Sequence, residues 1–503
     1  MEKVFDLEDF EEYREDNRRE VKAANGGLPK SLWDSYSSLA NSYGGCIICG
    51  VVERKDGSWK TTGLKDVRKL KKDFWDTIHN KTKVSINLLS NVDVEDYEYH
   101  GDVVLVIKVP RASHKVKPVY INNDVYGGTY RRDWEGDYLC ERAEVNAMIR
   151  DSSEESPDMK VLRNKRVEDF DKDTVHEYRV RYNLRHEGSA WSELSDEVFL
   201  VQIGAADDES GTILPTAAGL LMFGKAHRIV REYSEFFLDY REHMDTGIRW
   251  TDRIESNSPD WPGNVFSFFS RVSAKITRDL AKPFKLEKMV RVDDTPAHKA
   301  LREALVNCLV NTDFYQSWSV VIEKYPDRIM LANPGTIPTG KKQMLKGGIS
   351  QPRNKALCKM FSVLGYGEHA GSGVPDIYKV WSDAQLDRPI VEEQFGKNGI
   401  PDRTTLTLPL IPSSFGSSFG TNTTEASTEA ETEVRLKPEL LTRLLEYCKI
   451  PRSRAQMQDF CEFKSEKYFR EHIIKPMLDE GLISRTIPEK PKSPNQKYVA
   501  VRY

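Results

Sequence analysis

The run Asn41-Ser42-Tyr43-Gly44-Gly45-Cys46-Ile47-Ile48-Cys49-Gly50-Val51-Val52 decides how the first third of the chain is read. Before it, Leu28, Leu32, Trp33, Tyr36 and Leu39 recur at helical spacing, which predicts a helix over Leu28–Ala40 with Pro29 in its first turn. After the paired glycines, the apolar residues 46–52 read as a buried strand, and Asp56-Gly57 as a turn. A helix handed through glycines to a strand is the start of an α+β unit. Cys46 and Cys49 form a C-x-x-C, but no second pair stands at zinc spacing, so they read as buried strand cysteines.

Working outward, Val67–His79 is a basic amphipathic helix, and residues 103–109 and 117–121 are strand-like. These elements set a domain over 1–150, with the polar stretch 151–158 as its boundary. Residues 151–214 are a mixed connecting region, and 215–411 form a second domain. In it, Thr216–Phe223 is an apolar helix, 298–312 another, and 319–323 with 328–332 a hairpin closed by Asn333-Pro334-Gly335. Thr404–Leu410 is the closing strand. The Ser/Thr/Gly/Glu composition of 412–435 marks a flexible linker, and 436–503 carries three helical patterns and a hairpin, the outline of a winged helix.

Composition limits the function classes. At 503 residues, 39% hydrophobic and 30% charged, the chain is a multidomain globular protein, and its net charge of −4 requires any nucleic-acid contact to come from local patches. The acidic N-terminus lacks a signal-peptide core, and no apolar window is long enough to span a bilayer, so no membrane partner and a cytoplasmic location are expected. An odd, scattered set of 7 cysteines suits reduced thiols.

Upstream of the helix stand Glu15, Glu20 and Lys22. Glu15 and Glu20 do not share a helical face, so a common site needs a bent or extended chain, whereas Glu20 and Lys22 suit one face of a strand. Two carboxylates can hold a divalent metal and a lysine can offset phosphate charge, with Glu53 or Asp56 as the third acid. The same charges also suit a solvated face.

Two basic regions follow. Lys65, Arg68, Lys69, Lys71, Lys72, Lys81 and Lys83 form the first; Arg111, Lys115, Lys117, Arg131 and Arg132, interleaved with Tyr120, Tyr126, Tyr130 and Trp134, form the second and the better candidate for nucleic acid. In the C-terminal unit Lys467 and Arg470 sit near a recognition-helix start, with Lys490, Lys492 and Lys497 on the wing. Glu303, Asn307 and Asn311 recur on one helical face, a pattern that suits a Mg-nucleotide or a polar surface.

The string Glu15, Glu20, Lys22, Leu28-Pro29, Ala40-Asn41, Gly44-Gly45 and Gly50-Val51, with Lys117-Pro118-Val119-Tyr120 and Gly128-Thr129-Tyr130-Arg131-Arg132, resembles the Schlafen-type AlbA domain. The resemblance implies that Glu15 and Glu20 are the first two acids of a Mg²⁺- or Mn²⁺-dependent endoribonuclease acting on structured RNA such as tRNA, in phage defence or a stress response. Many members carry an aspartate directly after the Gly-Val pair, where this chain has Val52.

Glu303-Ala304-Leu305-Val306-Asn307, Asp327-Arg328-Ile329, Asn333-Pro334-Gly335, Arg353-Asn354 and Gly371-Ser372-Gly373 resemble the divergent GHKL-type ATPase domain of bacterial proteins often labelled RecG-like helicases. That resemblance implies an α/β sandwich and nominates Glu303, Asn307, Asn311, Asp327, Gly371 and Gly373 for ATP. Dimerisation by a degenerate domain is the alternative, and without a P-loop a helicase motor has no support. The two functional readings are therefore a metal-dependent endoribonuclease, and a duplex-DNA-binding transcriptional regulator with a nucleotide-sensing or dimerising centre. A homodimer is expected of either.

Overall fold

The computed structural model describes residues 10, 13, 15–245, 247–278, 280, 286–287, 290–291, 295–367, 371–396, 400–411, 444–445, 447–461, 469–474, 477–478, 482–486 and 497–500. The chain divides into one unit over Met1–Ser418 and a second over Phe419–Tyr503. The linker sequence and the positions Lys467, Lys490 and Lys492 lie outside the described residues.

The first unit begins with β1 (Arg19–Lys22), α1 (Leu32–Asn41), β2 (Gly45–Cys49), β3 (Val51–Glu53), β4 (Trp59–Thr61), α2 (Val67–Ile78), β5 (Val94–Tyr99), β6 (Asp102–Val109), β7 (Tyr130–Asp133), β8 (Gly136–Leu139) and α3 (Arg142–Ser152). One sheet runs in the order β1-β2-β6-β5, with β1 parallel to β2 and the other pairs antiparallel. Strand alternation explains the unbroken apolar run. Cys46 and Ile48 join Val21, Val104 and Val106 in one buried cluster, while Ile47 and Cys49 join α1, Leu105 and Ile107 in the cluster on the other face. Both faces of β2 are covered, and burial lifts the Cys46 and Cys49 thiols to about 12, as expected of inert core cysteines.

The helix begins at Leu32 rather than Leu28, because Pro29 and Lys30 lie in the preceding turn, their carbonyls accepting from the N–H groups of Leu32 and Trp33. The strand breaks at Gly50, which has φ +88, so β3 turns off to pair with β4. Residues 117–121 are not a strand. Asn41 at the end of α1 fixes them instead: its amide donates to the Val119 carbonyl at 2.8 Å and the Tyr130 carbonyl at 3.0 Å, and its oxygen accepts from the Val119 N–H at 2.9 Å.

The unit continues with α4 (Lys172–Arg185), α5 (Asp196–Ile203), β9 (Ala206–Glu209), β10 (Thr212–Pro215), α6 (Ala217–Phe223), α7 (Ala226–Ile229), β11 (Leu238–Glu242), β12 (Asp252–Glu255), α8 (Val265–Thr277), β13 (Leu286–Glu287), β14 (Val290–Arg291), α9 (Pro296–Val310), β15 (Val320–Lys324), β16 (Arg328–Pro334), α10 (Lys341–Lys346), α11 (Lys355–Val363), α12 (Gly373–Asp383), β17 (Ile390–Gln394) and β18 (Arg403–Pro409). A second, mixed sheet has the order β12-β11-β15-β16-β18-β17. Its core runs from Leu162 to Leu408, so residues 151–214, expected as a connecting region, pack into the same core as 215–411. Asn333 and Pro334 do not form the hairpin turn. They are the last residues of β16, paired with Thr404 and Arg403, and the β15–β16 turn is 325–327.

In the second unit, helix Arg454–Phe460, the π-helical turn Arg470–Ile474 and an antiparallel hairpin of Ile483–Arg485 with Tyr498–Ala500 share one core of Leu444, Met457, Phe469, Ile473, Met477 and Ile483. Among the described residues, no helix is long and apolar enough to cross a membrane.

Gly45 gives the N-terminal sheet a sharp test. A Cβ there would lie 2.1 Å from the Arg18 carbonyl oxygen, inside the contact that seats β1 on β2. Gly45→Ala is expected to lower stability by about 1–3 kcal/mol, read as a shifted urea midpoint of the full chain; an unchanged midpoint would contradict this close packing.

Candidate functional sites

Strand β1 does bring Glu20 and Lys22 onto one face, as the spacing predicts. The Lys22 amine lies 2.5 Å from Glu20 Oε1, and Glu20 is buried. Glu15, at the bend before β1, accepts from the Val21 N–H at 2.8 Å. Burial first, then the Glu20 and Glu53 charges, push its carboxyl up to about 7, against the opposing pull of the Val21 N–H and Arg132.

The cation at the centre of this site is Arg132, which was expected on the nucleic-acid surface. Its guanidinium is buried, 2.6 Å from Glu20 Oε2 and 3.0 Å from Asp137 Oδ1, and it also donates to the Asp16 and Arg19 carbonyls. The Glu20 contact is a close ion pair. Asp137, absent from the sequence candidates, is held by the Ser35 and Ser38 hydroxyls from α1. Its signal in the sequence was the run of polar residues on α1, where Ser35 and Ser38 are buried together with Ser37 and Asn41.

The expected metal set of Glu15, Glu20 and Glu53 does not fit. Both Glu20 oxygens already face cations, Glu53 is exposed on β3, and Asp56 spends its carboxylate on the Ser58 N–H and hydroxyl at 2.9 and 2.6 Å. Among the described residues, no three His, Cys, Asp or Glu side chains are gathered for a metal. The site is a carboxylate cluster balanced by Lys22 and Arg132.

The second basic region is likewise consumed internally. Arg131 is buried and makes a bidentate pair with Asp402 at 2.5 and 2.8 Å, with Glu144 at 3.0 Å. Burial would raise the Asp402 carboxyl, but the Arg131 guanidinium outweighs it and holds the group below its usual value. Lys117 turns inward to the Asn41 carbonyl at 2.5 Å, and burial, followed by Arg111 and Arg131, depresses its amine far below the usual lysine value. Tyr130 is half-buried, with its N–H on Ser37, and Lys115 alone of the five named positions is exposed. By contrast Lys65, Arg68, Lys69, Lys72, Lys81 and Lys83 of the first region are exposed on and beside α2. In the C-terminal unit Lys497 is exposed and Arg470 half-buried.

The central domain assembles its candidates better. Glu303, Asn307, Asn311, Gly371 and Gly373 line one cleft of about 1080 Å³ including its open mouth. Glu303 accepts from the Asn307 amide and from the Gly367 N–H, each at 3.1 Å. Gly371 is held to glycine by φ +70 and by Ile349 N at 2.6 Å from a Cβ, while a Cβ on Gly373 would fall 2.2 Å from Glu303 Oε1 and displace that carboxylate. Asp327 is excluded, lying exposed in the β15–β16 turn beside Arg328. Glu303 is the one charged side chain among the described lining residues, the rest being apolar groups, amides and hydroxyls such as Asn333 and Thr336.

Residues 11–140 match the family model "Schlafen, AlbA_2". The N-terminal domain is a Schlafen AlbA_2 domain. Residues 318–397 match "Putative ATP-dependent DNA helicase recG C-terminal", 439–499 match "Filamentation induced by cAMP protein Fic-like, C-terminal domain", and 146–239 match "Domain of unknown function (DUF8451)". The Schlafen AlbA_2 domain is thus joined to a RecG-like ATPase-type domain and a Fic-like C-terminal domain. The DIP2311 protein of Corynebacterium diphtheriae aligns at 18% identity over 96% of this chain and 91% of its own, with TM-score 0.39. The N-terminal domain of a RecG-related protein from Nitrosomonas europaea aligns at 23% identity over 27% of this chain and 90% of its own, with TM-score 0.21. No curated protein matches the chain.

Glu15 carries a pH prediction. Because its folded carboxyl titrates above the ordinary value of 4.5, its contribution to stability is fully present below that value and is lost as pH rises through about 7. Glu15→Gln stays neutral and is expected to flatten this part of the stability–pH curve, so that urea midpoints of variant and wild type diverge between about pH 5 and about pH 8. Parallel curves would contradict the burial of that carboxyl.

Proposed function

We propose that the chain is a nucleic-acid-directed regulator whose central cleft binds a nucleotide. The observation that carries this reading is the convergence of Glu303, Asn307, Asn311, Gly371 and Gly373 on one cleft, with apolar walls to take a base and amides to orient it. The matched families, a Schlafen AlbA_2 domain and a RecG helicase C-terminal domain, support a nucleic-acid-related role. The exposed lysines and Arg68 on and beside α2 supply a surface for a phosphate backbone. A winged-helix C-terminal unit, with Arg470 and Lys497 toward DNA, belongs to the same proposal.

A fluorescent ATP analogue is expected to bind the full chain and to be displaced by unlabelled ATP. Asn307→Ala should weaken binding on the order of tenfold or more, the scale of a lost buried hydrogen bond. Binding unaffected by Asn307→Ala, or absent from the wild type, would overturn this reading.

Cleavage of structured RNA at the N-terminal site is a second reading, favoured by one observation. Glu15, with its carboxyl near 7, can exchange a proton close to neutral pH, and the Arg132 guanidinium is near enough to act on that carboxyl. A tRNA transcript incubated with Mg²⁺, with Mn²⁺ and with chelator, using wild type and Glu20→Gln, tests it. Cleavage lost in the variant supports the reading, and intact RNA under every condition removes it.

A further inference from the structure

The loop Gly335–Gly340 belongs to two walls at once. Thr336, Ile337 and Pro338 line the central cleft with Asn307 and Asn311, and the same three residues line a smaller cavity with Arg111, His114, Lys117 and Arg131 of the Schlafen AlbA_2 domain. The bonds on that second side are specific. Arg111 makes a bidentate pair with Glu393 at 2.5 and 2.8 Å and donates to the Ile337 carbonyl at 3.3 Å, while the Ile337 N–H donates to the same Glu393 carboxylate at 2.7 Å. His114 Nδ1 lies 3.1 Å from the Pro338 carbonyl.

Arg353 makes the second link between cleft and domain boundary. It is buried, pairs with Asp151 at 2.7 and 2.8 Å, donates to the Thr336 carbonyl at 2.9 Å, and also donates to the carbonyl of the cleft residue Asn311. The loop is bracketed by Gly335 at φ +102 and Gly340 at φ +76, conformations that glycine adopts without strain. A ligand in the cleft therefore touches a segment whose other side is bonded to the N-terminal domain through directional, charge-assisted contacts.

We propose that occupancy of the central cleft changes the nucleic-acid affinity of the Schlafen AlbA_2 domain through the Gly335–Gly340 loop and its Arg111–Glu393 latch. This rests on the nucleotide reading of the cleft. A ligand that favours one arrangement of Ile337 and Pro338 alters the contacts of Arg111 and His114, which lie just beyond β6, an inner strand of the N-terminal sheet. Linkage makes the effect reciprocal: nucleic acid changes nucleotide affinity by the same factor.

The test uses full-length protein, the non-hydrolysable analogue AMPPNP, and two labelled probes, a tRNA transcript and a DNA duplex. Each probe's Kd is measured with and without saturating AMPPNP, and AMPPNP affinity is measured calorimetrically with and without probe. The expected result is a shift of at least about fivefold for one probe, matched by an equal shift in AMPPNP affinity. Glu393→Gln, or Arg111→Lys if the first variant does not fold, should bind AMPPNP as before but reduce the shift to less than about twofold. AMPPNP binding with unchanged Kd for both probes overturns the coupling and leaves the nucleotide reading standing. Failure of both probes to bind with or without AMPPNP also overturns the coupling, and no AMPPNP binding overturns both readings.

Discussion

The buried pair of Arg131 with Asp402 is the constraint on which the first unit depends. Arg131 stands on β7 of the N-terminal domain, and Asp402 directly precedes β18 of the central sheet. Two short bonds join them, and Glu144, Gly396 N–H and the Phe395 ring complete the surroundings. A desolvated guanidinium and carboxylate are costly apart: removing one partner of such a pair typically loses about 3–5 kcal/mol. The pair therefore fixes how one sheet meets the other, and Arg111–Glu393, Arg150–Asp313 and Arg353–Asp151 repeat the device along the same boundary.

This use of arginine changes what the basic residues of the N-terminal domain can do. Arg131 and Arg132 are adjacent in sequence and point to different tasks, one joining the central domain and the other neutralising Glu20 and Asp137. The carboxylate site is consequently charge-balanced by protein cations. The central cleft is the opposite case, nearly free of side-chain charge among its described residues and rich in amides.

The parts of this arrangement that were legible in the sequence are local ones. Glu303 and Asn307 sit at i and i+4 of a single helix, so periodicity alone places them together, and Glu20 with Lys22 follows from strand alternation. The glycine break before Cys46 likewise announced a helix-to-strand turn. What the sequence concealed depends on contacts between distant segments. Asp402 is 271 residues from Arg131, and no pattern around Arg131 distinguishes an internal ion pair from a phosphate contact. Lys117 looked like part of an exposed cluster for the same reason, although the Asn41 carbonyl 76 residues earlier draws it inward. Asp327 shared a motif with the cleft residues but lies in a turn that the sheet carries away from them.

The Gly335–Gly340 loop lines the central cleft and is bonded on its other side to Arg111 and His114 of the Schlafen AlbA_2 domain, the link through which we propose the two are coupled. Hydrogen–deuterium exchange of the full chain with and without AMPPNP reads this coupling. AMPPNP is expected to change exchange at the loop and also at 108–117, which do not line the cleft. Protection confined to the residues lining the cleft, with 108–117 unchanged, would contradict it.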